Sequence, residues 1–545
     1  MNPGYAGRSN LPDNLKQLFR EVAMIKPDKQ LIAQVTLYAQ GFRSAERLSS
    51  KIISLYDLCD RQLSKQPHYD FGLRSLKSAL SSAGNLKRQL LQEEAGAGTV
   101  VDDPEVVESV EQKLLIRSVT DTVVPKLVAQ DVPLLRSLLM GVFPGADIPA
   151  LDEKILLDEI ERLCEARFLE AKGDWLEKVL QLYQIQRLQH GVMLVGPVGT
   201  GKSAAWRVLL DAMEKVDGIK GMSYVLDPKV VAKEQLYGKL DSTTLEWQDG
   251  VFTAVLRKIL ATTQEAGSGA PQRRHWIVFD GDVDPDWAEN LNSALDDNKL
   301  LTLPNGERLE IPNCIRLLFE VETLKYATLA TVSRCGIVWF ASSVLPDDVV
   351  FQHHLDEIAA GSTATEVLLQ GVGGQTKGVD RSVSSRAISR ELARSGSHVL
   401  SRGSVGKLAS KASMLAGGAT GARGAAEAVA QGIKERCVTI LQPFFCAGGF
   451  ASQCLDKAMK HQHIMEFTRI RCIESMFSLL KKGISRIVEK NEELRSSGES
   501  MDDDLMAQFI TKARHSFLTP LTVFRHITAL LRHLIVSIVE LKYNI

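Results

Sequence analysis

The stretch Gly191-Val-Met-Leu-Val-Gly-Pro-Val-Gly-Thr-Gly-Lys-Ser203 decides the fold of this chain. It opens with an apolar run of the length of a buried strand and continues into a full match to the phosphate-loop pattern G-x4-G-K-[ST]. A helix is predicted over about 202–216. The loop would then join a strand to a helix amino terminus, where backbone N–H groups and the helix dipole attract anions.

Each residue type in this loop has a chemical use. The glycines let backbone N–H groups turn inward around phosphate oxygens, Lys202 brings a positive charge to the β and γ phosphates, and the Ser203 hydroxyl can ligate Mg²⁺. We therefore expect ATP or ADP to bind here with Mg²⁺; the alternative is a glycine-rich turn without a ligand. The residues predicted to bind nucleotide are Gly196, Pro197, Val198, Gly199, Thr200, Gly201, Lys202 and Ser203.

Strands and helices alternate around the loop. The alternation predicts an α/β fold of the P-loop NTPase type, a parallel sheet flanked by helices. Asn305-Gly306 predicts a hairpin, because both turn positions must tolerate positive φ. The segment 236–250 is expected to be a loop packed on the core. Predicted strands are 191–195, 223–226, 275–279 and 315–321, and predicted helices besides 202–216 are 253–262 and 288–295.

An acidic residue ends the apolar run Trp276-Ile-Val-Phe-Asp280. Such a carboxylate can hold Mg²⁺ or its water ligands, so Asp280 is the second predicted metal ligand; an ordinary strand-end aspartate is the alternative. AAA+ ATPases usually carry a glutamate next, which polarises the attacking water. Here that position is Gly281, which cannot act as a base, and Asp282 is expected to be poorly placed. The sequence therefore predicts nucleotide binding with slow or no hydrolysis.

Arg334 lies in Ala330-Thr-Val-Ser-Arg-Cys-Gly336, just after the last predicted strand. In an AAA+ module an arginine at this place usually points out of its own module to the γ-phosphate bound by a neighbour. The alternative is a structural or surface arginine.

The regions outside the β/α block differ in composition. Residues 1–90, 107–142 and 155–187 are predicted to be mainly helical, and 85–100 is predicted to be a loop. Residues 361–432 are rich in Gly, Ser, Ala and Arg, which predicts a disordered or loosely helical insert. Amphipathic helices are expected again over 437–491.

Composition excludes several classes of protein. With 545 residues the chain should form several domains, and a net charge of −1 gives no argument for nucleic-acid or membrane partners. None of the eight cysteines forms a CxxC pair, so reduced thiols are expected rather than zinc sites or disulfides. No signal peptide is recognisable at Met1, and the apolar run 529–541 is too short to span a bilayer. We expect a soluble intracellular protein.

Several strings resemble the cytoplasmic dynein heavy chain. The resemblance covers about 1–350 and 435–510, and it implies the end of the first AAA+ module of a motor ring followed by the second module. The strings are Met1-Asn-Pro-Gly-Tyr-Ala-Gly-Arg-Ser-Asn-Leu-Pro-Asp-Asn-Leu15, Lys26-Pro-Asp-Lys-Gln-Leu-Ile-Ala-Gln34, Tyr69-Asp-Phe-Gly-Leu-Arg74, Phe279-Asp-Gly-Asp-Val-Asp-Pro285, Leu301-Thr-Leu-Pro-Asn-Gly-Glu-Arg308 and Ala330–Gly336.

The resemblance also implies a domain order. The first module's large subdomain would end over 1–45 and its helical small subdomain would occupy 46–140. The second module's P-loop subdomain would occupy 141–350, followed by the insert at 351–432, a helical small subdomain at 433–512 and an atypical tail at 513–545. The abrupt start and the unusual tail are expected to reflect a misread splice or frame.

Residue roles follow from the same resemblance. Asn2 and Arg74 correspond to sensors of the first module, and Arg334 to the arginine finger that the second module lends to the first. In the second module's own site, Glu320 falls near the sensor position and Arg471 matches the second sensor, with Arg469 close by. The implied partners are other AAA+ modules, dynein subunits and microtubules, in the cytoplasm and cytoskeleton, as part of a minus-end-directed motor.

Two other functions remain open from sequence. A freestanding AAA+ remodelling ATPase would form homo-oligomers, but Gly281 argues against it because every subunit would lack the catalytic glutamate. A structural interaction protein with a vestigial pocket is disfavoured by the intact phosphate loop.

Overall fold

A computed structural model describes most of the chain: residues 29–97, 104–144, 154–360 and 431–497, apart from 172, 242, 245, 266–272, 297, 433, 436, 440 and 461–467, with scattered positions between 14 and 28. These residues form two compact units, Met1–Leu163 with Ala171–Leu345, and Cys164–Glu170 with Pro346–Ile545.

The first unit contains a five-stranded sheet in the order β2-β5-β8-β1-β9. All four neighbouring pairs are parallel, which confirms the predicted fold class. The strands are β1 (Gly191–Val195), β2 (Lys220–Leu226), β5 (Arg273–Asp280), β8 (Ile315–Val321) and β9 (Gly336–Trp339). Two antiparallel hairpins accompany the sheet, β3 (Gly238–Leu240) with β4 (Trp247–Asp249), and β6 (Leu300–Thr302) with β7 (Arg308–Glu310).

The central strands are apolar because both of their faces are covered. Every residue of β1 is buried, and so are five consecutive residues of β5. Phe279 of β5 stacks on Phe319 of β8 with ring centroids 5.1 Å apart, and Trp287 lies against both rings. A fully covered parallel sheet has continuous apolar strands rather than alternating ones, which is the pattern of 191–195 and 275–279.

Helices flank this sheet and precede it in the chain. Those before the sheet are α1 (Lys29–Ala39), α2 (Ala45–Gln62), α3 (Leu73–Ala97), α4 (Pro104–Val123), α5 (Val132–Val142), α6 (Lys154–Ala166) and α7 (Gly173–Leu188), with a 3₁₀ turn at Val124–Lys126. Those within the sheet region are α8 (Lys202–Asp217), α9 (Lys233–Tyr237), α10 (Val251–Glu265), α11 (Pro285–Ala288), α12 (Asn292–Leu295) and α13 (Leu329–Val332), with a 3₁₀ turn at Glu289–Leu291.

Helices α1 to α5 share one core that runs from Ala33 to Phe143. A buried carboxylate joins the helices: Glu111 is 1% exposed and accepts hydrogen bonds from the backbone N–H groups of Arg43 and Ser44 and from Lys87 Nζ. Both carboxylate oxygens thus accept hydrogen bonds from the protein in place of water, and a charge can be buried at low cost only under this condition.

An aromatic stack joins this helical body to the sheet. The His68 ring lies parallel to that of Trp339 in β9, with centroids 4.5 Å apart. His68 Nε2 lies 3.0 Å from the carbonyl oxygen of Lys126. The stack holds the helical body against the edge strand, and the contact with Lys126 fixes the His68 ring within the helical body.

The second unit is helical. Its elements are α14 (Asp347–Ala360), a 3₁₀ turn (Gln442–Phe444), α15 (Phe450–Met459) and α16 (Arg469–Ser497). Phe351, Phe445 and Phe477 meet at the centre of its core.

Some sequence expectations were wrong. The predicted loop at 85–100 is helical up to Ala97 as part of α3, and 236–250 contains the hairpin β3–β4 rather than a plain loop. The predicted helix at 288–295 consists of short α and 3₁₀ turns. Residues 351–360, predicted as the start of the insert, belong to helix α14, whereas 361–430 and the tail at 513–545 lie outside the described residues.

Candidate nucleotide site

The phosphate loop follows β1 at the carboxyl edge of the sheet. The Gly196 N–H donates to the Val321 carbonyl oxygen at 3.1 Å, and a Cβ at Gly196 would lie 2.1 Å from the Phe340 carbonyl oxygen. Gly199 and Gly201 both have φ of +81°, which favours glycine. The loop therefore needs its glycines for backbone geometry as well as for access of phosphate to the N–H groups.

Lys202 opens helix α8 and points into the loop. Its side chain donates to the carbonyl oxygens of Gly196 at 2.6 Å and Pro197 at 2.8 Å. Burial lowers the pKa of this ammonium, while Glu320 and Asp280 act in the opposite direction. The structure thus holds a desolvated positive charge inside the loop, where it has the greatest effect on a bound anion.

Three oxygen ligands suited to Mg²⁺ meet at the same edge. The Ser203 hydroxyl donates to Glu320 Oε1, and Trp206 Nε1 donates to Glu320 Oε2 at 3.2 Å. Asp280 ends β5 in register with Glu320 on the neighbouring strand. Hydroxyl and carboxylate oxygens are the protein ligands that Mg²⁺ prefers, so Ser203, Asp280 and Glu320 could hold the ion of a Mg²⁺–nucleotide complex.

The position after Asp280 cannot supply a base. Gly281 has φ of +141°, a conformation that side-chain-bearing residues rarely adopt, and its N–H donates to the Glu320 carbonyl oxygen at 3.0 Å. The next carboxylate, Asp282, is paired with Lys229 Nζ at 2.8 Å. An ion pair thus occupies Asp282, and the Oδ1 atom of Asp227, which lies 3.7 Å from a Cβ built at Gly281, accepts a hydrogen bond from the Lys229 N–H at 2.9 Å.

Trp175 supports the loop from outside the motif. This residue of α7 is 3% exposed, and its Nε1 donates to the Gly201 carbonyl oxygen at 3.2 Å. A Cβ at Gly201 would lie 2.6 Å from that nitrogen. Sequence reasoning missed this contact, since a single tryptophan near a helix start gives no signal of its partner.

Arg334 lies at the opposite edge of the sheet from the phosphate loop. It comes just before β9, whereas the loop comes just after the parallel neighbour β1. A strand of five residues rises roughly 15 Å, so the body of the sheet separates Arg334 from the loop of its own module.

Arg74 lies beside Arg334 at this edge, and so does Asp296, a residue that the sequence analysis did not identify. Arg334 Nε donates to Asp296 Oδ1 at 2.8 Å, and Arg74 Nη2 lies 3.7 Å from the same oxygen. Arg74 Nη1 also donates to Ser333 Oγ at 2.6 Å. The two arginines predicted to serve one phosphate are therefore neighbours.

Two predicted sensor residues, Asn2 and Arg471, come from other parts of the chain. Asn2 lies outside the described residues. Arg471 is exposed in the first turn of α16, in the second unit, and its sensor role stays a prediction. Arg469, its alternative, is held by Asp347 and by Asp456, the latter at 2.6 Å. Over the described part of the chain, no helix combines the length and apolar character needed to cross a bilayer.

Three family models match the chain. Residues 1–203 match the model for the hydrolytic ATP-binding site of the dynein motor region, 191–335 match the AAA domain of the dynein-related subfamily, and 441–516 match the dynein heavy chain AAA lid domain.

The curated relatives of this chain are also dynein heavy chains. The chain is 51% identical to a cytoplasmic dynein heavy chain of Paramecium tetraurelia over 94% of its own length and 10% of the relative. It is 46% identical to the Drosophila melanogaster counterpart over 90% of its length and 10% of the relative. With the Caenorhabditis elegans counterpart it shares 54% identity over 66% of its length and 8% of the relative. The chain thus spans about a tenth of the length of these relatives.

Proposed function

Since the chain belongs to the dynein heavy chain family, we propose that it is an ATP-binding AAA+ segment of a microtubule motor. Its own site binds ATP or ADP with Mg²⁺ and hydrolyses ATP slowly or not at all. Its Arg334 serves as the arginine finger of a neighbouring module. Other AAA+ modules of one ring, dynein subunits and microtubules are its proposed partners, in the cytoplasm and on the cytoskeleton.

The binding role is supported by the carboxyl edge of the sheet. The buried Lys202 ammonium, the Ser203 hydroxyl and the carboxylates of Asp280 and Glu320 lie at the edge of the sheet where the glycine-rich loop follows β1. This combination suits a Mg²⁺–polyphosphate, because it offers cationic and N–H donors to phosphate and oxygen ligands to the metal.

The proposed low turnover, and with it the proposed function, depends on one observation, the conformation of Gly281. This position lacks a side chain, and its φ of +141° disfavours any replacement. A general base contributes about 10²- to 10⁴-fold to a rate, so a site without one retains bound ATP far longer than a complete site would.

The finger role is supported by the position of Arg334 at the amino edge of the sheet. A phosphate bound by the loop of the same module lies at the other edge. Arg334 is paired with a carboxylate and lies beside Arg74, so two guanidinium groups are available for an anion that a neighbouring module presents at that edge.

Titration of the purified chain with a fluorescent ATP analogue tests the binding role. Lys202→Ala should weaken binding by at least about tenfold, since a charge-assisted bond to phosphate is lost. Lys258→Ala, which removes an exposed lysine of α10 in the same module, is the matched control and should bind as the wild type does. Equal affinity of Lys202→Ala and the wild type would contradict the assignment.

A further inference from the structure

Asp296 is the carboxylate on which the two arginines meet. It directly follows α12, and its Oδ1 receives Arg334 Nε at 2.8 Å while Arg74 Nη2 lies 3.7 Å away. The Arg334 side chain is 17% exposed and that of Asp296 is 34% exposed, so this ion pair is partly shielded from solvent. Shielding strengthens the pair relative to a fully exposed one.

The bonds of Arg334 fix the plane of its guanidinium group. Nε donates to Asp296 and Nη1 donates to the Ala330 carbonyl oxygen at 2.8 Å. Because the donors of a guanidinium have fixed geometry, these two bonds determine the direction of the third nitrogen. Without Asp296 the side chain would keep one bond and could rotate about it.

Arg74 occupies a position that is unfavourable for a cation. It is the second residue of α3, and a positive charge in the first turn of a helix is repelled by the helix dipole. The contacts with Asp296 and Ser333 compensate for this repulsion and direct the side chain toward Arg334. A carboxylate and a hydroxyl thus bring together two cations that would otherwise repel each other.

We infer that Asp296 is a positioning residue that couples Arg74 to Arg334, so that both guanidinium groups meet the same phosphate in the geometry hydrolysis requires. The inference rests on the proposed finger role of Arg334. Asp296 itself does not contact the nucleotide; it acts through the arginines. Its loss leaves the positive charges in place but removes their alignment.

The test uses a full-length cytoplasmic dynein heavy chain that carries this segment at the homologous position. We expect Asp296→Asn to lower kcat by about 10- to 100-fold, the effect of misplacing a group that acts in the transition state, with a much smaller change in KM. Asp296→Glu should recover part of the loss. Asp286→Asn, which neutralises an exposed aspartate of the same module, is the matched control and should leave kcat unchanged.

A double-mutant comparison separates positioning from a structural role. In an Arg334→Ala background, Asp296→Asn should cause little further loss, because the group that it positions is gone. An equal loss in both backgrounds, or no loss from Asp296→Asn alone, would overturn the inference while leaving the finger role intact. Failure of the finger role itself would appear as unchanged turnover in Arg334→Ala. Thermal melting of each variant shows whether a loss comes from unfolding.

Discussion

The hydroxyl of Ser203, in the first turn of helix α8, donates a hydrogen bond to the carboxylate of Glu320 in β8, the strand beside β1. The residue expected to ligate Mg²⁺ and the residue expected at the sensor position are therefore direct neighbours. A carboxylate at this point interacts favourably with Lys202 and would add a negative charge beside a bound Mg²⁺. We propose that this arrangement helps to retain a metal–nucleotide complex.

Glu320→Gln should weaken the Mg²⁺-dependent part of ATP affinity by several-fold. The amide can still accept a hydrogen bond from Ser203, but it no longer carries the charge that attracts the metal. Affinity is measured with Mg²⁺ and with excess chelator, and the ratio of the two values is compared with that of the wild type. Glu310→Gln, at an exposed glutamate of β7, serves as the control. An unchanged ratio in Glu320→Gln would exclude Glu320 from the metal site.

Gly281→Glu should not create an efficient ATPase. The residue would have to adopt φ of +141° or shift the backbone that now bonds to Glu320, at a cost of about 1–3 kcal/mol. Denaturant unfolding and ATP turnover are measured on the same variant. Gly141→Ala, at an exposed helical glycine with free space around it, should be neutral or stabilising by up to about 1 kcal/mol. Brisk turnover with undiminished stability in Gly281→Glu would show that the backbone argument is incorrect.

Removing the buried carboxylate of the helical body should strongly destabilise it. Glu111→Ala leaves two backbone N–H groups of the α1–α2 connection without an acceptor. It also removes the carboxylate partner of the Lys87 ammonium, which keeps only its bond to the Gly41 carbonyl oxygen, and the total cost is about 3–5 kcal/mol. The matched variant Glu108→Ala breaks the more exposed pair with Arg47 and should cost at most about 1 kcal/mol. Comparable losses in urea unfolding of the two variants would refute the burial argument.

Acid should weaken the contact between the helical body and the edge strand. Burial lowers the pKa of His68, and the bond to Lys126 only partly opposes this. The unfolded chain then binds the proton more readily, so stability is complete above about pH 6.5 and falls as the pH drops toward the folded-state pKa. His68→Phe, which can still stack on Trp339, should reduce the difference between melting temperatures at pH 7.5 and pH 5.5. His275 and His353 have lowered pKa values too, so part of the dependence will remain.

The sheet and the phosphate loop could be predicted from sequence because their signals are local. The apolar run 191–195, the glycines that follow it and the acidic end of 276–280 each occupy a few consecutive residues, and β8 has the predicted bounds of Ile315–Val321. The strand β9 was not predicted, because its four residues are too few to show the alternating or continuous apolar pattern of a strand. The helical end of α3 was missed because Glu and Gly residues there resemble a loop.

Contacts between remote segments could not be predicted in this way. Nothing in the sequence near Arg334 indicates Asp296, and nothing near the loop indicates Trp175, because each partner is brought in by the packing of another element. The resemblance to dynein heavy chains predicted related roles for Arg74 and Arg334. The contact of both arginines with the Asp296 carboxylate, however, is seen only in the structure.

We propose that the site of this chain holds ATP without cleaving it. The most direct measurement incubates the purified chain with radiolabelled ATP and Mg²⁺, removes free nucleotide, and follows the ratio of bound ATP to bound ADP with time. We expect close to one bound nucleotide per wild-type chain and none in Lys202→Ala. The bound nucleotide should remain ATP for far longer than about one second, the time that a slow but typical enzyme needs for one turnover. Rapid conversion of the bound ATP to ADP would show instead that this site hydrolyses its nucleotide.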